Sequence, residues 1–588
     1  MEQRKEQKKE QRVYAAFGRG ARRDWKRAAR KTVFSHYWMA IMVCLVAAFL
    51  GTEFTGSLES LHFTRQKWDV ISNFLASFGR PGAAANSRGV FAIAVNKIAD
   101  GSLQNIVNNT IMSLAGSSEF WQSFGIVVSS LVSMTYWVLV THTFVVILRR
   151  LFMEMRVYEE VPPYRALYLH SARCWGRTSL ALLRVAVQRG LWWLTIIGGA
   201  IKTFSYYLCG FILAENPTMK GGDAIALSRK MMNGHKWECF LLELSFVPWH
   251  LLSLATFGLS SLFYSSAYLS AARCEFYAAV RAQVKAEGEA QALRDTYLFE
   301  KASAKTLRRA YNDLGRPAEK LPARVYGNKV TRFFGECLGV TLFVNPQDVA
   351  REKIQDREYR LRYMRRCEQG LSYPIRLSPL LQYEHKDHEP ALFTRKYPVT
   401  TLVLLFFLFS IIGWCWEVVL HLLSEGTFVN RGVLHGPWLP IYGTGGVLVL
   451  LTLYKLRDKP WLEFWATVVV CGVVEYFTAY YLETVYDRRW WDYAGYFLNL
   501  HGRICAEGLL VFGLGGMAVV YGVAPLFDNL LHKVRRSVLI GLCAALIALF
   551  CVDQAYSHFH PNEGEGITDE VVYKTDDARI RLDEEAFV

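Results

Sequence analysis

Ionisable side chains embedded in apolar stretches are the first chemical signal in this sequence of 588 residues. At the centre of a membrane helix each costs about 2.5–3.5 kcal/mol, so it must find a partner, water or a proton. Such residues concentrate in the last third of the chain. Glu417 sits late in one apolar run, Glu475 and Glu483 lie along a second, Arg503 and Glu507 open a third, and Asp553 is near the end of a fourth. Glu475 and Glu483 share a helix face with the small Ala479 between them. Arg503 and Glu507 are one turn apart and can neutralise each other within one helix. Two readings stand: a polar cavity that binds a cation, a proton or a polar headgroup, or buried ion pairs that fix helix packing.

The connector from Gly426 to Gly446 mixes glycines with Pro437 and Pro440. Glycine opens backbone geometry closed to other residues, and proline stops helices. Such a segment can fold back into a membrane where it is buried in protein or lines water, which would add Asn430, Arg431 and Tyr442 to the cavity. A surface turn is the alternative. The run Asp487-Arg488-Arg489-Trp490-Trp491-Asp492-Tyr493 marks a membrane boundary. An interfacial aromatic belt accounts for its tryptophans but not for Asp492 or the later Asn499, which could cap or close the same cavity. His385 and His388 have no cysteine or structured ligand pair beside them, so a solvated charge run accounts for them. No metal or cofactor is expected.

These side chains need elements to hold them. Hydrophobic residues make up 52% of the chain and charged residues 20%, the charges lying between apolar runs. Disorder, collagen and a small disulfide-rich scaffold are excluded. A helix needs about 20 apolar residues to cross the hydrocarbon core, because its backbone must be satisfied internally. That ruler gives about eleven spans in an all-α polytopic membrane protein, about six before residue 281 and about five after residue 396. The first six are Ser35 to Gly51, Phe124 to Leu148, a hairpin within Thr178 to Glu215 bent at Gly198-Gly199, Trp237 to Thr256, and Leu259 to Val280. The others are Tyr397 to Leu423, Leu439 to Leu453, Trp461 to Leu482, Gly502 to Leu526 and Val538 to Tyr556.

The first 31 residues carry twelve Lys or Arg against four acids, as cytoplasmic flanks of membrane helices do. The expected plan is a basic cytoplasmic amino terminus (1–34), a membrane bundle (35–280) with an extracytoplasmic loop (52–123), a charged cytoplasmic helical linker (281–396), a second bundle (397–556) and an acidic tail (557–588) outside. Arg149-Arg150 read as the return to the cytoplasm. The bacterial plasma membrane is the expected location, with the first apolar run an uncleaved signal anchor.

The net charge of +15 does not indicate nucleic acid, because the basic residues flank spans and no recognition module accompanies them. Twelve single cysteines without C-x-x-C suggest neither zinc nor disulfides. There is no G-x-x-x-x-G-K-[ST] phosphate loop, G-x-S-x-G or H-E-x-x-H, so neither an ATPase nor a conventional hydrolase is expected.

Two resemblances follow from these motifs. Gly413-Trp414 with Glu417, Asn430-Arg431-Gly432, Gly436-Pro437, Pro440-Ile441-Tyr442-Gly443, Glu475, Trp491-Asp492-Tyr493, Asn499 and Gly502-Arg503 resemble the bacterial ABC-transporter permease family of CmpB type (type IV). Ala214-Glu215-Asn216-Pro217, Ser228-Arg229-Lys230-Met231-Met232, Gly234-His235-Lys236-Trp237 and Leu244-Ser245-Phe246 are similar to the bacterial membrane family called domain of unknown function 975. The first resemblance implies a transport permease, coupled to a separate ATPase subunit or an ion gradient. Its cavity would be built from Glu417, Asn430, Arg431, Tyr442, Glu475, Glu483, Asp492, Asn499 and Arg503. A non-transporting assembly or regulatory protein that recruits a cytoplasmic partner through 281–396 is the alternative. A membrane-embedded enzyme on lipid headgroups, with Glu475 or Glu483 as acid or base, is the third.

Overall fold

The computed structural model describes residues 17–54, 119–256, 258–288, 292–314, 328–342, 346–379, 395–425, 428–486, 488–493, 499–564, 567 and 569–570. His385 and His388, most of the loop 52–123 and most of the acidic tail lie outside the described residues. The described residues are mostly helical with almost no strand, and the chain divides into two compact units, one built on residues 1–63, 95–321 and 354–390, the other on 64–94, 322–353 and 391–588.

Among the described residues seven helices are long and apolar enough to cross a membrane, and an eighth span is reached if one bent pair counts as a single crossing. The chain is therefore a multi-pass, all-α membrane protein. The four other segments expected from the sequence are helical in some form but shorter or more charged. Where the span Ser35 to Gly51 was expected, α2 (Tyr37–Phe49) meets the preceding α1 (Arg19–Ser35) at 97°.

In the amino-terminal unit, α3 (Gln122–Val157) is followed by α4 (Trp175–Trp193), α5 (Ile197–Ser205), α6 (Cys209–Glu215), α7 (Gly221–Met231), α8 (Lys236–Ala255) and α9 (Ser266–Ala286). The hairpin is present. Thr178 near the start of α4 donates to the Pro217 carbonyl beyond α6 at 3.2 Å. Its turn falls at residues 194–196, just before the glycines, with Ile196 held at a positive φ of 37°. Gly199 instead lets α5 pack on Trp193, whose Cα would lie 2.8 Å from an added Cβ.

This unit buries its charge largely in ion pairs, although Asp295 Oδ1 and Arg149 Nη1 have no hydrogen-bond partner among the described residues. Arg149 and Arg150 do not lead out to solvent: Arg150 is 1% exposed. It donates to Glu154 at 2.9 Å and to Asp295 at 2.9 Å, while Arg165 grips both oxygens of Glu154. Arg281 does the same to Glu215, with Tyr277 as a third donor, and Arg273 bridges Glu243 and Glu53. A low-dielectric interior forces this arrangement, since an unpaired ion there is far costlier than a paired one. Asp295 and Tyr373, from the expected linker, fold into this unit and hydrogen-bond at 2.7 Å.

The carboxy-terminal unit holds α10 (Lys329–Cys337), α11 (Val399–Glu425), α12 (Pro440–Thr452), α13 (Pro460–Tyr486), α14 (Ala506–Ala518), α15 (Ala524–Leu531) and α16 (Arg536–Phe559). Two-residue strands β1 (Val340–Thr341) and β2 (Tyr397–Pro398) pair in parallel where the chain enters α11. The arrangement of α13 is inverted relative to a water-soluble helix. Its buried residues are Glu463, Thr467, Gly472, Glu475 and Glu483, whereas Val469, Val473 and Phe477 are more than half exposed. A helix with apolar residues outward and carboxyls inward suits lipid around it and a polar interior behind it.

Candidate functional site

A cavity of about 1600 Å³ opens between the helices of the carboxy-terminal unit. Close approach of α11 and α12 forms one wall. A Cβ on Gly443 would lie 2.2 Å from Ser410 Oγ and 2.5 Å from the Phe406 carbonyl, so only glycine lets the two backbones meet. Gly413 of α11 likewise makes room for the Tyr442 ring. Tyr442 stands in the first turn of α12, where Pro440 starts the helix. Its hydroxyl donates to Glu417 Oε1 at 2.7 Å, and Arg431 Nε lies 3.9 Å from Glu417 Oε2.

Glu475 projects from the buried face of α13 into the same cavity, and is only 4% exposed. Tyr493 donates to its Oε1 at 3.1 Å, while its Oε2 has no hydrogen-bond partner among the described residues. Burial, and then the Glu475 and Glu417 carboxylates, push the Tyr493 phenol well above its ordinary value, so it remains the donor. Tyr493 is fixed by the loop before α14: its amide donates to the Gly502 carbonyl at 2.8 Å, and Cys505 caps α14 through Gly508. Asp492 also lines the cavity and pairs with Arg489 at 3.3 Å.

The connector before α12 is packed into the unit. Leu434 and Trp438 are buried against Phe407, and Asp553 of α16 accepts from the amides of His435 and Gly436 and from Trp438 Nε1. Asn562 donates to the carbonyls of Asn430 and Gly432. These bonds hold Arg431 at the cavity wall.

Of the residues singled out by the sequence, Glu417, Arg431, Tyr442, Glu475 and Asp492 meet at this cavity. The other four serve elsewhere. Asn430 braces the connector, accepting from Trp414 at 2.6 Å and donating to the His435 carbonyl at 2.9 Å. Asn499 accepts from the Gly502 amide in an exposed turn. Glu483 lies between two guanidiniums, 2.6 Å from Arg489 Nε and 2.7 Å from Arg503 Nε. Arg503 precedes α14, and its carboxylate partner among the described residues, Glu483, comes from α13. The Glu507 side chain lies outside the described residues. Glu475 and Glu483, although on one helix, serve different sites.

Tyr493 gained no separate role from the sequence, because an aromatic run at a boundary looks the same whether its rings face lipid or a carboxyl. Buried Asp528 and Arg457 were also missed. Asp528 accepts from Arg395 at 2.9 Å and Thr401 at 3.0 Å, and Arg457 donates to the Leu450 carbonyl at 2.6 Å. Among the described residues no group of three His, Cys, Asp or Glu is placed to hold a metal ion.

Residues 404–558 match the family described as "Putative ABC-transporter type IV", and residues 29–284 match "Protein of unknown function (DUF975)". No curated protein and no solved structure matches the chain. The carboxy-terminal match, of a transporter type rather than an enzyme type, covers the helices that enclose the cavity.

Proposed function

We propose that this protein is permease-like and handles its substrate in the carboxy-terminal cavity, with the amino-terminal unit as a rigid membrane anchor. The observation that carries this reading is Glu475: a carboxyl buried on the inward face of a lipid-facing helix, lining a cavity, with one oxygen left without a partner. Leaving a buried acceptor unmade costs about 1–3 kcal/mol; Glu463 Oε2 and Asp295 Oδ1 are likewise without a partner among the described residues, and of the three only Glu475 lines this cavity. A ligand that donates to that oxygen would recover the cost. The Glu417–Tyr442–Arg431 group supplies a second polar contact in the same cavity. The sequence has no phosphate loop, so energy would come from a separate ATPase subunit or an ion gradient.

The test is rescue of a deletion strain by Glu475→Gln, Glu417→Gln and Arg431→Ala, with membrane levels measured in parallel. Loss of rescue at normal levels supports the reading; full rescue by all three ends it. Affinity purification in mild detergent addresses the partner. Recovery of an ATPase favours transport, and recovery of envelope-synthesis or signalling proteins favours the assembly reading.

A further inference from the structure

The chemistry of the cavity narrows its occupant. Resting on the reading that the cavity takes a substrate, we infer that the substrate is a hydrophobic cation, with its positive charge seated against Glu475 Oε2 and its apolar body extending along α12 and α14.

Charge balance around the lining is the first ground. Three carboxyls face the cavity. Asp492 has the Arg489 guanidinium at 3.3 Å, and Glu417 has both Arg431 and the Tyr442 hydroxyl. Glu475 has a single phenol on one oxygen and, among the described residues, no partner on the other. A cation placed there completes the set, whereas an anion would meet three carboxyls against two histidines, His421 and His558, and one guanidinium already facing Glu417.

The rings are the second ground. Trp416, Tyr442, Phe512, Trp491 and Tyr493 line the same space, with Tyr442 and Phe512 only 5.9 Å apart between centroids. Aromatic faces attract cations most where water is excluded, and they hold quaternary centres that cannot donate a hydrogen bond. The third ground is the remainder of the wall. Val449, Val511, Leu514, Val519 and Val523 line it with hydrocarbon alone, so that part suits an apolar body. The volume of about 1600 Å³ exceeds the roughly 300–1,000 Å³ usual for small-molecule pockets, leaving room for such a body beside its charge.

Tetraphenylphosphonium and tetraphenylborate have nearly the same size and shape but opposite charge. Binding of each to the purified full-length protein in an uncharged detergent, corrected with protein-free micelles, separates charge recognition from hydrophobic partition. Tetraphenylphosphonium is expected to bind at least about tenfold more tightly, a preference that Glu475→Gln removes. Asn499→Ala is expected to keep it. Leu514→Trp, which fills the apolar end, is expected to weaken both ions, and provides a readout independent of whether the Gln variant folds. Equal or tighter binding of the borate overturns the cationic assignment and leaves the cavity reading intact. So does failure of both ions to bind while Glu475→Gln still abolishes rescue. Failure of both ions together with normal rescue overturns the cavity reading as well. A phosphonium preference that survives Glu475→Gln removes the assigned carboxyl.

Discussion

The two units bury acidic and basic side chains in different settings. In the amino-terminal unit a buried carboxylate is gripped by guanidinium groups, often on both oxygens: Glu154 by Arg150 and Arg165, Glu215 by Arg281, Glu243 by Arg273. In the carboxy-terminal unit Glu417 and Glu475 receive hydroxyl donors around a cavity, and Glu475 keeps an oxygen with no partner among the described residues; Asp295 Oδ1 in the first unit is also unpartnered but does not line that cavity. Saturated pairs leave nothing for a ligand to do. An incompletely satisfied carboxyl beside open space is a site that a ligand can complete. Glu483 belongs with the first kind despite sitting on α13, because Arg489 and Arg503 together occupy both of its oxygens.

The comparison is broken or sharpened by substitutions in each unit. The largest effect is expected for Arg150→Met, which leaves Glu154 and Asp295 with one partner fewer; removing one member of a buried pair costs about 3–5 kcal/mol. Membrane levels and thermal stability of the purified protein should fall sharply. Glu475→Gln should do the reverse, keeping levels and stability near those of the native chain while rescue falls at least about tenfold, the equivalent of some 1.4 kcal/mol. If Glu475→Gln unfolds the protein and Arg150→Met does not, the assignment of anchor and site is inverted.

A middle effect is expected for Asp553→Asn, which weakens three hydrogen bonds to the connector. Bonds to a charged acceptor contribute about 1.5–3 kcal/mol each, so the connector should loosen and become sensitive to limited proteolysis near Gly436. Gly443→Val should separate α11 from α12 and reduce rescue through displacement of Tyr442; overpacking of this kind typically costs about 1–3 kcal/mol. The smallest effect belongs to Asn499→Ala. An exposed turn residue should change stability by no more than about 0.5 kcal/mol and leave rescue intact.

Sequence made much of the fold legible because the bilayer imposes a length and a composition on every span. Segments such as Val399–Val419 and Arg536–Phe559 are read from hydropathy alone. The hairpin within Thr178 to Glu215 was expected from the sequence, although its turn lies about three residues earlier than the glycines suggest. Partner choice was less visible. Arg503 is one turn from Glu507 in sequence, but α14 begins only at Ala506, so helical spacing does not apply to it. Arg149-Arg150 resembles a membrane flank because its partners Glu53 and Asp295 are distant in sequence. The acids of the candidate site stood out, since a carboxyl in an apolar run needs a reason. Tyr493 did not, because a phenol at a boundary needs none.

Native cysteines provide a direct comparison of the two units. Cys471 lines the cavity, whereas Cys274 and Cys209 are buried in the amino-terminal unit. The purified protein would be exposed to a water-soluble cationic thiosulfonate and its modified residues identified by mass spectrometry. Modification of Cys471, with Cys274 and Cys209 spared, is the expected outcome. A Cys471 as inert as those two would mean that no solvent-reachable cavity exists beside Glu475.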